Sequence, residues 1–195
     1  AQGDYVILLN NDCVLLPQER NTWIEMLERP FKDDDKVGIT GPLISYNADL
    51  QSEFLIFFCV MIQKQLWYYL KLNEEYKVGG AEDIEYCLEA KKRGYKLVQV
   101  PTPSFLEERV DNRVVGKFPI LHKGEETVKN ISNWKEIFDE NCAKLLKKYN
   151  PERYKHKLGN EYERAVIDDT EELQKYPREV ARYKFAAEHL TGKKV

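Results

Sequence analysis

A short apolar run near the start of the chain constrains the fold more than any other feature. Tyr5 to Leu9 is apolar at every position, and Asn10, Asn11 and Asp12 follow it with turn-forming side chains. A run of this length without polar alternation predicts a strand buried on both faces, as in parallel sheets. Such a strand needs neighbours on both sides, so we expect further sequence before residue 1.

Helical and extended patterns alternate through the first hundred residues, which predicts an α/β layered domain. The predicted helices are residues 17–29, ended by Pro30, residues 63–71, and residues 82–93, ended by Gly94. The predicted strands are residues 5–9, 37–41, 54–61 and 95–100.

The pattern changes after residue 130, where we place a domain boundary. Residues 131–195 are charged and helical in pattern, and Asn133 with Glu136 resembles a capping box. An amphipathic helix is predicted from Trp134 as far as Asn150 and Pro151. A further helix is predicted over residues 177–190. The predicted organisation is therefore an α/β domain of residues 1–130 and a helical extension of residues 131–195.

Composition narrows the classes of function. The chain has 195 residues, 43% of them hydrophobic, with a formal net charge of −3, which excludes the basic footprint of a nucleic-acid binder. Its longest apolar run, residues 54–62, is too short to span a bilayer, and no signal-peptide pattern is present. The four cysteines form no C-x-x-C pair, which predicts reduced thiols and a cytoplasmic location.

Asp12 is the first candidate site residue, because it directly follows the first predicted strand. In open α/β sheets, ligands bind beyond the carboxyl ends of the strands, and a carboxylate there can bind a hard divalent cation. The alternative is an aspartate that only caps its own turn.

Glu82 and Asp83 are the second candidates, since they begin a predicted helix directly after Gly79 and Gly80. Adjacent acids at a helix start commonly do no more than stabilise the helix dipole. The functional alternative is a general base. The helix N-terminus would then keep Asp83 ionised, and the glycines would let a substrate approach closely.

His122 is the third candidate, in the loop-like stretch of residues 121–124. A single histidine is more often a surface residue, or one whose hydrogen bonds are satisfied within the fold, than a ligand, and we assign His156 and His189 in the charged tail to that class. The chain contains no P-loop, no dinucleotide fingerprint and no G-x-S-x-G elbow, so nucleophilic catalysis has no local support.

Taken together, these segments resemble the second half of a family 2 glycosyltransferase of the GT-A fold. Residues 3–12 (GDYVILLNND) look like the family's strand that ends in a DxD-type metal site. Residues 79–95 are similar to its G-G-x-E-D-x-[DE]-x-C…G-Y motif, and residues 122–124 to its H-x-G segment. The segments at 57–59 and 61–62 correspond to its acceptor-side strand. The resemblance covers roughly residues 1–130.

The resemblance implies a fold and a reaction. The fold is a partial GT-A mixed sheet with flanking helices. The reaction moves a sugar from a nucleotide-diphosphate donor to a hydroxyl of a glycan or lipid-linked acceptor, with inversion, as in polysaccharide biosynthesis. Asp83 would be the base, and Glu82 would bind an acceptor hydroxyl or help set the electrostatic field at Asp83. Asp12 would hold Mn²⁺ or Mg²⁺, and His122 would be a second ligand of that ion or a diphosphate contact.

The resemblance also implies what the chain lacks. Asn10 and Asn11 stand at the other positions of the DxD-type site, where they would contact the donor. The family's nucleotide-reading half is not matched, which implies a longer parent polypeptide and an inactive fragment. It also implies a cytoplasmic protein that can lie at the inner face of a membrane.

The end of the chain carries a second, shorter resemblance. Residues 182–195 resemble the lead-in helix of an S-adenosylmethionine-dependent methyltransferase, which implies a fused methyltransferase domain. An ordinary amphipathic helix is the alternative. A different function also stays open for the whole chain, a non-catalytic helical docking or linker module of a multidomain protein.

Overall fold

The computed structural model describes residues 3–76, 79–100, 118–124 and 128–157. Within these ranges the chain is a mixed α/β structure. The strands are β1 (Tyr5–Leu9), β2 (Cys13–Leu15), β3 (Val37–Gly41), β4 (Ile44–Asn47), β5 (Ser52–Leu55), β6 (Cys59–Gln63), β7 (Lys96–Gln99) and β8 (Ile120–His122). The helices are α1 (Thr22–Asp33), α2 (Lys64–Tyr69), α3 (Glu82–Lys92) and α4 (Trp134–Tyr149), with one 3₁₀ turn at Val128–Asn130.

The central sheet has the strand order β1-β6-β3-β7. Strand β6 is antiparallel to both of its neighbours, whereas β3 and β7 are parallel. Two ribbons accompany the sheet, one of β2 with β8 and one of β4 with β5. The mixed sheet with flanking helices confirms the coarse fold class predicted from the sequence.

The prediction for β1 is wrong in one respect. Among the described residues β1 is an edge strand that pairs only with β6, in antiparallel register. Its apolar pattern has another cause, since Tyr5 and Ile7 pack into one core cluster and Leu8 into the other. Apolar contacts on both faces therefore produce a continuous apolar run without parallel neighbours.

Strand β6 shows how the sheet separates the two clusters. Cys59 and Met61 face the cluster that includes α1, whereas Val60 and Ile62 face the cluster that includes α2 and α3. This is the two-residue period of a strand, and all four side chains are almost fully buried. Helices thus cover both faces of the sheet.

The predicted helix end at Pro30 is wrong, because α1 continues to Asp33. A proline here removes one N–H donor, but the Asp34 N–H still donates to the Pro30 carbonyl at 3.1 Å. Leu27 and Phe31 on the same helix are buried, so core packing holds the last turn.

The single strand predicted over residues 54–61 is also wrong. Strand β5 ends at Leu55 and β6 begins at Cys59, with a turn between them. The turn contains no glycine, proline or asparagine, and Phe58 within it is only 2% exposed. A turn of packed aromatic residues has the composition of a strand, so the sequence pattern does not reveal it.

The chain divides into two compact units, one ending at Tyr149 and one beginning at Asn150. The helix α4, predicted to open the extension, packs in the first unit, where its Leu145 joins Tyr76, Ala81 and Ile84 in a third cluster. The predicted break at residues 150–151 is confirmed, since α4 ends at Tyr149.

In the second unit, residues 151–157 are helical, and Asn150 Oδ1 accepts the Arg153 N–H as a cap. His156 is exposed there, as predicted. His189, the helix predicted at residues 177–190 and the methyltransferase-like tail lie outside the described residues. All four cysteines lie in the described ranges, and none of them is in a disulfide. No helix in the described ranges has the length and apolarity needed to cross a membrane.

Candidate active site

Asp12 and His122 come together through the ribbon of β2 and β8. The register places Cys13 opposite His122, and the Lys123 N–H donates to the Asp12 carbonyl at 3.1 Å. As a result His122 Nε2 lies 3.2 Å from Asp12 Oδ1. The imidazole also stacks on the Phe58 ring, with centroids 4.5 Å apart and planes 4° from parallel. Both predicted metal ligands are therefore fixed at one place.

Asp12 Oδ1 is buried and accepts no hydrogen bond from the described residues, although the histidine nitrogen is close. Leaving a buried carboxylate oxygen unsatisfied costs free energy, which a ligand would recover. The 3.2 Å separation is close to the ~3 Å between adjacent ligand atoms of an octahedral ion. The pair thus fits two positions of a divalent-cation site.

These two side chains are a partial ligand set. The described residues contain no group of three or more His, Cys, Asp or Glu side chains that could hold a metal. Asn10 and Asn11, which precede the pair, are exposed, and the Asn10 N–H donates to the Phe58 carbonyl at 2.8 Å. An ion held here would keep open positions for water or phosphate oxygens.

The second predicted site begins with an unusual backbone. Gly79, Gly80 and Ala81 all have positive φ, at 105°, 86° and 104°. Glycine adopts this region readily, but for Ala81 it is strained. The turn directs the chain into α3 and places Glu82 and Asp83 in its first turn.

The two acids there have different environments. Glu82 Oε2 is buried without a hydrogen-bond partner among the described residues. Asp83 Oδ1 accepts the Ile84 N–H at 2.8 Å. Burial, and then the charge of Glu82, raise the pKa of Asp83 to about 7. This reverses the expectation that the helix N-terminus keeps Asp83 ionised, because desolvation outweighs the backbone N–H groups.

The turn between β5 and β6 links the two sites. The Phe57 N–H interacts with the Asp83 carboxylate and favours its ionised form. The next residue, Phe58, stacks on His122 and accepts the Asn10 N–H. Consecutive residues of one turn therefore touch Asp83 on one side and the His122 pair on the other.

Sequence reasoning missed two members of this region. It placed Phe57 in a strand, although the residue contributes a backbone donor from a turn. It gave Tyr86 no role, but the Tyr86 ring packs against the rings of Phe57 and Trp67, and its hydroxyl is buried without a partner among the described residues. A backbone donor has no sequence signal, and a tyrosine on an apolar helix face resembles any core residue.

Three buried side-chain polar atoms lack a hydrogen-bond partner within the described ranges, and two of them are Asp12 Oδ1 and Glu82 Oε2. Unsatisfied groups thus concentrate at the predicted sites. No protein-family model, curated protein or solved structure matches this chain.

Proposed function

We propose that this chain is the catalytic and acceptor-side part of an inverting glycosyltransferase. The reaction takes a sugar from a nucleotide-diphosphate donor to a hydroxyl of a glycan or lipid-linked acceptor. Asp83 is the base, Glu82 binds the acceptor, and Asp12 with His122 binds Mn²⁺ or Mg²⁺. Four cysteines outside any disulfide are compatible with a reducing, cytoplasmic compartment.

The observation that carries the proposal is the placement of both sites on one turn. The Phe57 N–H contacts the Asp83 carboxylate and the Phe58 ring stacks on His122, so adjacent residues of one turn link the two sites. Sugar transfer needs both sites together. A base must lie next to the attacking oxygen, and positive charge must lie next to the leaving diphosphate. The order of motifs in residues 1–130 supports the same reaction class.

The chemistry follows from these positions. The acceptor hydroxyl gives its proton to the Asp83 carboxylate, and its oxygen forms a bond to the anomeric carbon. The bond from that carbon to the diphosphate oxygen breaks on the opposite side, and the nucleoside diphosphate leaves with the electron pair. Attack opposite the leaving group inverts the anomeric centre.

The pKa of Asp83, about 7, suits this role. A base with a pKa near the working pH is ionised often enough to act and basic enough to take a proton from a hydroxyl. Burial raises the pKa of Asp83 into this range, and it also lowers the fraction of Asp83 that is ionised at neutral pH. Glu82, whose buried Oε2 has no partner among the described residues, is available to accept a substrate hydroxyl.

At the other site, Asp12 and His122 would hold the divalent ion by one carboxylate oxygen and one ring nitrogen. When bound, the ion supplies positive charge that neutralises the diphosphate. Asn10 and Asn11, which directly precede Asp12, are exposed, and their amides could donate to phosphate oxygens.

The proposal is tested with Mn²⁺ and pyrophosphate, because pyrophosphate presents the leaving group without a nucleobase. We expect calorimetry to show pyrophosphate binding that requires Mn²⁺ and disappears in Asp12→Ala and in His122→Ala. Asp35→Ala, an exposed aspartate outside the site, should bind like the wild type. Wild-type chain that binds neither Mn²⁺ nor the Mn²⁺–pyrophosphate pair would overturn the metal assignment and favour the docking-module alternative.

A further inference from the structure

The helix α4 holds the backbone that precedes the two acids. Asn141 Nδ2 donates to the Gly79 carbonyl at 2.9 Å, and this assignment is forced because a carbonyl only accepts. One turn earlier on α4, Phe138 lies against Gly80. A Cβ on Gly80 would come within 2.7 Å of the Phe138 ring. The two glycines are therefore held by α4 from one side.

Asn141 is an unexpected residue at its position. It is only 1% exposed and lies in the apolar stripe of α4, between Phe138 and Leu145. A buried amide costs free energy unless its polar atoms are paired, so a leucine would be the cheaper choice for packing alone. Its bond to Gly79 gives the asparagine a specific task.

The held turn contacts the catalytic acids directly. A Cβ on Gly79 would lie 3.2 Å from Glu82 Oε1. The Glu82 carboxylate therefore packs against Gly79, the residue whose carbonyl accepts the Asn141 amide. The next residues of the turn, Gly80 and Ala81, have positive φ and lead into α3. A strained segment of this kind persists only when its surroundings determine it.

A second set of contacts, two turns after Asn141 on α4, fixes α4 to the helix α3. Glu85, only 5% exposed, pairs with Lys148 and accepts the Tyr149 hydroxyl at 2.9 Å. Tyr149 also contacts Glu89 Oε1 at 2.8 Å. This anchor leaves α4 little freedom to slide, so the Asn141 amide is held at a constant height opposite Gly79.

From these contacts we propose that Asn141 is a positioning residue for the reaction. It fixes the Gly79–Ala81 turn and thereby sets the places of the Glu82 and Asp83 carboxylates. The inference rests on the proposed function for the roles of the two acids. The mechanical link from Asn141 to Asp83 can be measured without any substrate.

The test follows the carboxyl carbon of Asp83 by ¹³C NMR during a pH titration of the 195-residue chain, with Asp83→Asn for assignment. In Asn141→Ala and in Asn141→Leu, which keeps a similar side-chain volume, the turn loses its donor and water reaches the acid. We expect the Asp83 midpoint to fall by about one pH unit or more. Leu146→Ala removes another buried side chain of α4 and should lower stability while leaving the midpoint unchanged.

Two results would overturn the proposal. One is a wild-type midpoint retained in both Asn141 variants. The other is an equal fall in Leu146→Ala, which would mean general loosening of α4. If either Asn141 variant is unfolded by circular dichroism, the other supplies the comparison, and Asn141→Ser, which keeps a donor, should lie between. A shifted midpoint in a chain without Mn²⁺-dependent pyrophosphate binding would remove the proposed function and leave the positioning role intact.

Discussion

Asp12 and Asp83 each lie at the end of a secondary-structure element, but the protein fixes them differently. Asp12 precedes a three-residue strand whose partner, β8, lies more than a hundred residues away in sequence, and Val14 and Leu15 of this strand are exposed. Asp83 lies on a helix with five buried residues, and α4 packs against its first turns. The first site depends on a thin ribbon and the second on a packed core.

The difference suggests a division of roles. A carboxylate that binds an exchangeable ion needs an oxygen that no other group already occupies, and Asp12 Oδ1 has no hydrogen-bond partner among the described residues. A base whose pKa is set by burial needs a surrounding that does not relax. The two sites should therefore respond differently to mutation, the first in ligand binding and the second in both stability and proton affinity.

The largest expected effect is on catalysis at the packed site. On the proposed function, in an active transferase that contains this chain, Asp83→Asn should lower the rate of sugar transfer by about 10² to 10⁴-fold, because the proposed base is removed. Glu89→Gln, on the same helix, should change the rate little. Transfer assays with matched enzyme concentrations measure both. Wild-type transfer in Asp83→Asn would end the role assigned to that residue.

The next effect separates packing from backbone strain. Gly80→Ala places a methyl group 2.7 Å from the Phe138 ring at a φ of 86°, and should cost about 3 kcal/mol of unfolding free energy. Gly94→Ala has a similar φ of 84° with no atom nearby, and should cost about 1 kcal/mol. Urea denaturation gives both values. Equal losses would show that α4 does not press on the glycine turn.

At the Asp12–His122 site, a substitution should weaken ligand binding without lowering the stability of the fold. Asp12→Ala should reduce Mn²⁺-dependent pyrophosphate binding at least about 100-fold, yet leave the unfolding free energy equal or higher. The reason is that the substitution removes a buried oxygen without a hydrogen-bond partner in the described ranges. Calorimetry and urea denaturation on the same sample provide the two numbers. A marked loss of stability would mean that the carboxylate is structural.

The smallest effect is the pH dependence of stability. Asp83 has a pKa of about 7 in the folded chain, against an ordinary value of 3.8 for aspartate, so between these values the native state keeps a proton that the unfolded state releases. Stability due to this group is full below about pH 4 and is lost as the pH rises through 7. Its partial exposure limits the loss to roughly 2 kcal/mol.

The matched variant isolates this contribution. Asp83→Asn has no proton to release, so the slope between pH 4 and pH 7 should flatten relative to the wild type. Glu89, whose pKa falls to about 2 through its Arg93 partner, contributes only below this window. An unchanged slope in Asp83→Asn would show that another group causes it.

The sequence was sufficient for the parts of the structure that depend on local pattern. It located β1, α2, α3 and α4, and it singled out Asp12 and His122, which the structure brings to 3.2 Å of each other. The roles of these residues stay predictions. Local pattern carries this information because helix periodicity and capping act within a few residues.

The remainder depended on contacts that no local pattern encodes. The turn at Phe57 is apolar because it is packed, and α1 passes Pro30 because the core holds its last turn. The pKa of Asp83 rises because of burial, which adjacency to a helix start does not reveal. Asn141 did carry a signal, a lone polar residue in an apolar stripe, but its partner Gly79 is 62 residues away.

The central claim is that the Asp12–His122 pair and the acids of α3 form one site across the turn at residues 57–58. Bound Mn²⁺ broadens the NMR signals of nearby nuclei, so the most direct test titrates Mn²⁺ into ¹⁵N-labelled chain. We predict selective broadening of the amide signals of Phe57, Phe58 and residues 82–84, absent in Asp12→Ala. Broadening confined to the ribbon, or spread equally over exposed carboxylates, would contradict the claim.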